Sequence, residues 1–189
     1  MIGPYVLASI IERVGGFASR KRLQRYFYFL ERLSGSTGFG FELNTFGPYS
    51  HGLSLYVDEA RRLRYLEEEI RDDIGFLPVT ASSIFIAHRR LEEKDRPGIP
   101  ILDPYEEQLN PVLTASHDLL DRASTLQYFF SRSHDIGFSA MHDPIADAQR
   151  HRDDLWEEDN LYKAIDFLRK VIRNDNPYVR PTTDPEPNL

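Results

Sequence analysis

The chain has 189 residues, of which 41% are hydrophobic and 12% aromatic, a composition typical of a globular protein with a substantial core. It contains no cysteine, so disulfides, thiolate metal sites and thiol nucleophiles are excluded and a reducing compartment is favoured. The apolar run from Tyr5 to Ile11 is too short for a membrane span and has no basic segment before it. We therefore expect a soluble, cytoplasmic protein.

The net charge of −7 argues against a dedicated nucleic-acid binder, because phosphate contacts need a clustered positive surface. This charge is distributed unevenly. Residues 1–64 carry 9 Lys and Arg against 5 Asp and Glu, a net of +4, whereas residues 65–189 carry 14 against 25, a net of −11. The two halves therefore either meet different partners or neutralise each other.

Two amphipathic helices are predicted first. Pro4 suits the first turn of a helix, and the apolar residues after it repeat at helical spacing until Gly15 and Gly16 end the pattern. Ser19 is expected to cap the second helix. The apolar face of that helix is formed by Leu23, Phe27, Leu30 and Leu33.

Four cations lie in the first turns of the second helix: Arg20, Lys21, Arg22 and Arg25. Cations at a helix N-terminus oppose the helix dipole, so the cluster favours an anionic partner. We interpret these residues as the electrostatic contact with nucleic acid or with a protein partner. The alternative is a solvated face that pairs with the acidic second half of the chain.

A strand and a third helix are predicted next. Phe39, Phe41 and Leu43 alternate with small or polar residues, which is the period of a half-buried strand. The third helix is expected to run from Ser50 to about Leu66, because its apolar residues again repeat at helical spacing.

Between the strand and the third helix lies a sharp turn: Phe46, Gly47, Pro48, Tyr49 and Ser50. Pro48 restricts Gly47, Gly47 permits an unusual φ, and Ser50 caps the helix. We expect Phe46 and Tyr49 to anchor the turn in the core, so that the motif serves folding.

The functional alternative for this turn concerns the helix start at Ser50 and His51. If it is exposed, its backbone N–H groups can bind a phosphate or carboxylate.

A small β-ribbon and a connector are predicted in the middle of the chain. Residues Glu67 to Glu69 are interpreted as a polar break, followed by short strands at Ile74 to Val79 and Ser83 to Ala87. The segment from Lys94 to Pro104 holds three prolines and one glycine, which indicates a connector without regular structure.

The second half of the chain is predicted to be helical. Asn110 and Pro111 are expected to cap and begin a long helix that extends to about Ser131, and two further helices begin near Pro144 and Asn160. Residues 174–189 contain four prolines and few apolar residues, so we expect a disordered tail.

The predicted class is mainly α with a small β-ribbon, α+β overall. We divide the chain into a winged-helix-like region at 1–93, a connector at 94–104, a helical region at 105–173 that packs on the first, and the tail at 174–189.

Four segments carry a resemblance: RLQRYFYFL at 22–30, FGFEL at 39–43, FGPYSHGL at 46–53 and EARRLRYL at 59–66. Together they resemble the YwgA-like group of small, winged-helix-related prokaryotic proteins. More distantly they are similar to the Panacea domain of bacterial antitoxins, which shares the basic, aromatic helix and a Gly-Pro turn. The resemblance implies a prokaryotic, non-enzymatic protein with transcription-related, antitoxin or defence associations.

No catalytic motif supports an enzyme, because phosphate-binding loops, the G-x-S-x-G elbow and H-E-x-x-H are all missing from the sequence. We therefore expect no catalytic residues, cofactor or bound metal. A metal-dependent hydrolase or nuclease is kept as an alternative, because imidazole and carboxylate ligands could combine in the group His142, Asp143 and His151 with Asp153 or Asp154.

These observations predict a non-enzymatic regulatory or antitoxin-like protein that binds duplex DNA, a protein partner or both. The predicted contact residues are Arg20, Lys21, Arg22, Arg25, Ser50 and His51. The alternative is an interaction subunit of a toxin–antitoxin or phage-defence system without DNA binding. Membrane association is not expected, and self-association is left open.

Overall fold

The structure is a computed structural model that describes residues 2–71, 82–87, 99–135, 143–152 and 156–172. These ranges contain seven α-helices and two antiparallel, two-stranded ribbons, which confirms the predicted mainly helical, α+β class. The helices are α1 Pro4–Arg13, α2 Arg20–Ser34, α3 His51–Arg62, α4 Glu106–Thr114, α5 His117–Asp135, α6 Pro144–His151 and α7 Glu158–Val171. The strands are β1 Glu42–Asn44, β2 Gly47–Tyr49, β3 Leu66–Arg71 and β4 Ser82–Ala87.

Helix α2 is the centre of the fold. It begins at the predicted cap, where the Ser19 hydroxyl accepts a hydrogen bond from the Arg22 backbone N–H at 3.1 Å. It ends at Gly35, which adopts the left-handed conformation favoured after a helix. Every residue from Tyr26 to Leu30 is buried, so α2 is enclosed on all sides rather than on one apolar stripe.

Both halves of the chain contribute to the hydrophobic core around α2. Helices α4 and α5 pack against α2, and the rings of Phe29 on α2 and Phe167 on α7 meet edge to face at 6.0 Å. Helix α1 packs on α3 and β4. Ile99 and Leu102 are also buried in this cluster, so the end of the proline-rich segment is part of the core.

The region between α2 and α3 is a hairpin rather than one strand and a turn. Strand β1 is shorter than predicted because Gly38 and Gly40 adopt positive φ values of 76° and 62°, which an extended strand excludes. Gly47–Tyr49 forms a second strand, with Asn44 opposite Gly47 in an antiparallel register. The turn of the hairpin therefore lies at Thr45 and Phe46.

The predicted polar break at Glu67 to Glu69 is wrong, since these residues lie inside β3. That strand pairs with β4, with Glu68 opposite Phe85. The Glu68 side chain is only 6% exposed, and its charge is compensated by Arg20 at 2.8 Å and Arg61 at 3.0 Å. The strand predicted at Ser83 to Ala87 is confirmed as β4, whereas the one predicted at 74–79 lies outside the described residues.

The predicted long helix is two helices. A short 3₁₀ helix at Asp103–Tyr105 leads directly into α4, so Asn110 and Pro111 lie inside α4 instead of starting a helix. Helix α4 ends at Thr114, and the Ser116 hydroxyl accepts a hydrogen bond from the Leu119 N–H at 3.2 Å to cap α5.

The last two helices begin close to the predicted positions, α6 at Pro144 and α7 at Glu158, and the predicted tail at 174–189 is outside the described residues. No helix in the described ranges is both long enough and apolar enough to cross a bilayer.

Candidate functional site

The predicted turn motif is held against α2 by a buried arginine. Arg25 is 2% exposed, and its guanidinium donates hydrogen bonds to the backbone carbonyl oxygens of Phe46 and Pro48. Its Nε donates to Asp121 Oδ1 on α5 at 3.2 Å. Burial lowers the pKa of Arg25, and the charge of the neighbouring Asp121 carboxylate and the hydrogen bond to it oppose this shift. Arg25 therefore joins the hairpin to α2 and α5.

Gly47 allows the backbone to approach this guanidinium. Its φ is +103°, a conformation that L side chains rarely adopt. A Cβ atom at this position would lie 3.0 Å from Arg25 Nη2 and 3.0 Å from Thr125 Oγ1. Glycine is thus required both by the backbone angle and by the space available.

The start of α3 is also locked to α2. Gln24 pairs with the backbone of Ser50, donating from Nε2 to the Ser50 carbonyl at 3.0 Å and accepting at Oε1 from the Ser50 N–H at 2.9 Å. The Ser50 hydroxyl donates to the Phe39 carbonyl at 2.8 Å and accepts from the Leu53 N–H at 3.0 Å. The helix-capping role predicted for Ser50 is therefore confirmed.

The alternative of an exposed helix start at Ser50 and His51 is wrong for Ser50, which is only 1% exposed and whose N–H and hydroxyl are already bonded within the fold. His51 lies at the surface, where its ring contacts Tyr49 edge to face at 5.0 Å. The expectation that both aromatic residues of the turn anchor in the core is wrong for Phe46, which is 60% exposed, while Tyr49 is half-buried.

The four cations of α2 point in different directions. Arg20 binds Glu68 at 2.8 Å and Asp58 at 3.2 Å, and the hydrogen bond that Arg20 donates to Glu68 raises the pKa of Arg20. Arg22 donates to the carbonyls of Val112 and Leu113 near the end of α4, at 3.0 Å and 2.9 Å.

Lys21 forms an ion pair with Asp121, the same carboxylate that Arg25 binds. The Arg22 side chain is therefore directed to the end of α4 and the Arg20 side chain to α3 and β3, whereas Lys21 and Arg25 both reach Asp121 on α5. One carboxylate of the second half of the chain serves two of these cations.

An open cleft of about 370 Å³ lies between α2, the β1–β2 hairpin and α3, within the size range of ligand-binding sites. Leu23 on α2 and Val57 on α3 form part of its apolar lining. The further residues that line it are Arg20, Lys21, Gln24, Arg25, Asn44, Phe46, Tyr49 and Ser54.

Phe46 is the exposed aromatic residue at the edge of this cleft. The Lys21 ammonium lies 5.7 Å and the Arg152 guanidinium carbon 5.8 Å from the centre of its ring, distances typical of cation–π contacts. Arg152 also donates to the Thr45 carbonyl at 3.0 Å. The hairpin therefore presents Phe46 on a supported turn beside two cations.

Of the residues of the metal alternative, the structure describes two, Asp143 and His151. Asp143 caps α6 by accepting from the Ile145 N–H at 2.9 Å, and His151 Nε2 lies 3.0 Å from the Asn44 carbonyl. His142, Asp153 and Asp154 lie outside the described residues. Within those ranges no three metal-ligating side chains come together.

Two important residues were not predicted from the sequence. Gln24 carries no distinctive local pattern, because only the fold brings Ser50 beside it. The sequence does contain a signal for Asp121, since it is an acidic residue between the apolar residues Leu120 and Ala123 in a predicted helix. A carboxylate in that position indicates a cationic partner inside the fold.

No family model matches the chain. It is similar to the uncharacterized protein YwgA of Bacillus subtilis (strain 168), with 26% identity over 128 residues, which cover 65% of this chain and 72% of YwgA. This distant similarity supports the resemblance to YwgA that the sequence segments indicated. The more distant resemblance to the Panacea domain stays a prediction.

Proposed function

We propose that this is a non-enzymatic regulatory or antitoxin-like protein that binds a protein partner through the face formed by α2, the β1–β2 hairpin and α3. The observation that carries the proposal is the cleft on this face, with Phe46 exposed at its edge. Exposed aromatic side chains on a supported backbone are typical of the residues that dominate binding energy at protein interfaces. YwgA is itself uncharacterized, so the distant similarity to it suggests no activity for this chain.

A protein partner is favoured over duplex DNA because most of the cations on α2 are already buried or paired within the fold. Arg25 is buried, Arg22 is directed to α4, and Arg20 is bound to two carboxylates. Sequence-independent DNA binding needs several cations that can exchange counterions for phosphates. The net charge of −7 also disfavours DNA binding.

Duplex DNA is the second candidate, favoured by the net charge of +4 on residues 1–64 and by the two cations beside Phe46. The two candidates differ in their response to salt. A protein whose binding displaces several counterions from DNA loses about a thousandfold or more in DNA affinity between about 50 and 200 mM salt. We expect no measurable binding of a random duplex at about 50 mM salt, and tight binding that falls steeply with salt would overturn the proposal.

Site-specific photocrosslinking tests for the protein partner directly. The full chain carrying p-benzoyl-phenylalanine in place of Phe46 is expressed in the organism of origin, irradiated and analysed by mass spectrometry. Tyr162 on α7 is the matched control, because it is 59% exposed against 60% for Phe46 and does not line the cleft. We expect a protein adduct from position 46 and none from position 162. Equal adducts at both positions, or none at either, contradict the proposal.

A further inference from the structure

We propose that the cleft between α2, the β1–β2 hairpin and α3 binds an acidic segment of the partner protein that inserts a bulky apolar side chain. This inference rests on the proposed function and specifies the chemistry of the partner. It follows from the shape, the charge and the hydrogen-bond state of the cleft.

The interior of the cleft favours an apolar group. Its polar side chains are already paired with one another: Gln24 donates to Ser54 Oγ at 3.0 Å, and the Tyr49 and Ser54 hydroxyls are 2.7 Å apart. These groups need no ligand to satisfy them. Leu23 and Val57 line the interior with carbon atoms, and each residue is only 2% exposed. Affinity inside the cleft therefore has to come from burying apolar area, as in the pockets that hold anchor residues at protein interfaces.

The edge of the cleft favours negative charge. Of the ten described residues that line it, three are cationic and none is acidic, but Arg20 is bound to Glu68 and Asp58 and contributes no excess positive charge. Lys21 and Arg25 share the single carboxylate of Asp121, so this group of three carries a net charge of +1. The Arg152 guanidinium also lies beside Phe46, with its central carbon 5.8 Å from the centre of the ring. An acidic residue next to the apolar anchor of the partner would complement this charge and orient the segment.

A single-stranded nucleic acid is the competing occupant, because a base could stack on Phe46 beside Lys21 and Arg152. It fits less well. Stacking needs successive aromatic faces and a track of cations along the backbone, whereas the aromatic residues lining the cleft are Phe46 and the half-buried Tyr49, whose ring is already in edge contact with His51. The structure therefore favours a side chain inserted into a pocket over bases laid across a surface.

The test uses three matched, fluorescein-labelled peptides of about ten residues, the length of short recognition segments. The first has Asp and Glu around a central Leu-Phe pair. The second replaces the Leu-Phe pair by Ser-Ser, and the third replaces the acids by Lys. A single-stranded oligothymidylate of about ten nucleotides serves as the nucleic-acid probe. Binding to the full chain is measured by fluorescence anisotropy at several salt concentrations.

We expect the acidic, anchored peptide to bind at least about tenfold more tightly than either variant peptide. Phe46→Ala is expected to weaken this binding by about tenfold or more, and Tyr162→Ala to leave it unchanged. Lys21→Gln is expected to weaken it severalfold and to reduce its dependence on salt, whereas Lys163→Gln on α7 removes the same charge outside the cleft and has no effect.

Three outcomes overturn the inference: no binding by any peptide at millimolar concentration, equal binding of the acidic and basic peptides, or tighter binding of oligothymidylate. Phe46→Ala and Tyr162→Ala remove aromatic side chains of nearly the same exposure, 60% and 59%. The melting temperature of each variant is measured as well. If the two are equal, a difference in peptide affinity does not come from a folding defect. The inference and the proposed function can fail separately. A protein adduct at position 46 without acidic-peptide binding keeps the function and refutes the partner chemistry.

Discussion

Replacing Gly47 by alanine should test the close approach of the hairpin backbone to Arg25 and Thr125. The new Cβ would lie 3.0 Å from both Arg25 Nη2 and Thr125 Oγ1, and 3.3 Å from Arg25 Cζ. The guanidinium cannot move aside easily, because it is bound to the carbonyls of Phe46 and Pro48 and to Asp121. Overpacking of this kind destabilises by about 1 to 3 kcal/mol.

Two further contributions set the size of the effect. An L side chain at a φ of +103° adds about 1 to 3 kcal/mol of backbone strain. The lower entropy of the unfolded alanine chain offsets about 0.4 to 1 kcal/mol. The net expectation for Gly47→Ala is a loss of about 3 kcal/mol in the free energy of unfolding. For a chain of this size that corresponds to a melting temperature lower by about 6 to 12 °C.

Gly35 provides the control for this experiment. It also has a positive φ, +64°, but nothing lies within 4 Å of the Cβ position. Gly35→Ala is therefore expected to lower the free energy of unfolding by about 1 to 2 kcal/mol, which is the backbone strain alone. Both variants are compared with the wild type by urea and thermal unfolding, followed by circular dichroism. Equal losses for the two substitutions would refute the close packing of Gly47 on Arg25.

Three other perturbations probe the buried groups around α2. Asp121→Ala leaves Arg25 charged and buried without its counter-ion, so urea unfolding should show a loss of about 3 to 5 kcal/mol, and a loss below about 1 kcal/mol would contradict the buried pair. The Tyr28 hydroxyl is buried without a hydrogen-bond partner among the described residues. Tyr28→Phe should therefore leave stability unchanged or raise it by up to about 1 kcal/mol, and a clear loss would disprove that assignment. Burial, followed by the charges of Arg22 and Lys21, lowers the pKa of His117. As pH falls, the unfolded chain therefore protonates at this histidine before the folded chain does. Stability that is fully present above about pH 6.5 is lost below it, so the melting temperature should decline as pH falls. His117→Gln should lessen this decline. An unchanged decline would exclude His117 as its source.

Local sequence patterns predicted much of the helical framework. Ser19 and Ser50 cap α2 and α3 as expected, and Pro4 and Pro144 begin α1 and α6. Caps and first-turn prolines act through bonds and angles within a few residues, so they can be recognised without the rest of the fold. The stripe of Leu7, Ile10 and Ile11 likewise faces the core.

Predictions that depended on distant partners were less successful. The acidic run Glu67 to Glu69 became a strand because Arg20 and Arg61 compensate Glu68 and because β4 pairs with it. Phe46 was expected in the core, since local composition does not show that Arg25 occupies the space beneath the turn.

The sequence by itself determined the class of the fold, the caps and the central aromatic helix, because each of these is set by the chain within about one or two helical turns. Tertiary structure alone decided which cations are buried, which are paired and which border the cleft. Arg22 and Arg25 are only three residues apart, yet one donates to α4 and the other to the hairpin and Asp121. The free energy of a charge depends on what surrounds it, and those surroundings are assembled from residues about 20 to 100 positions away.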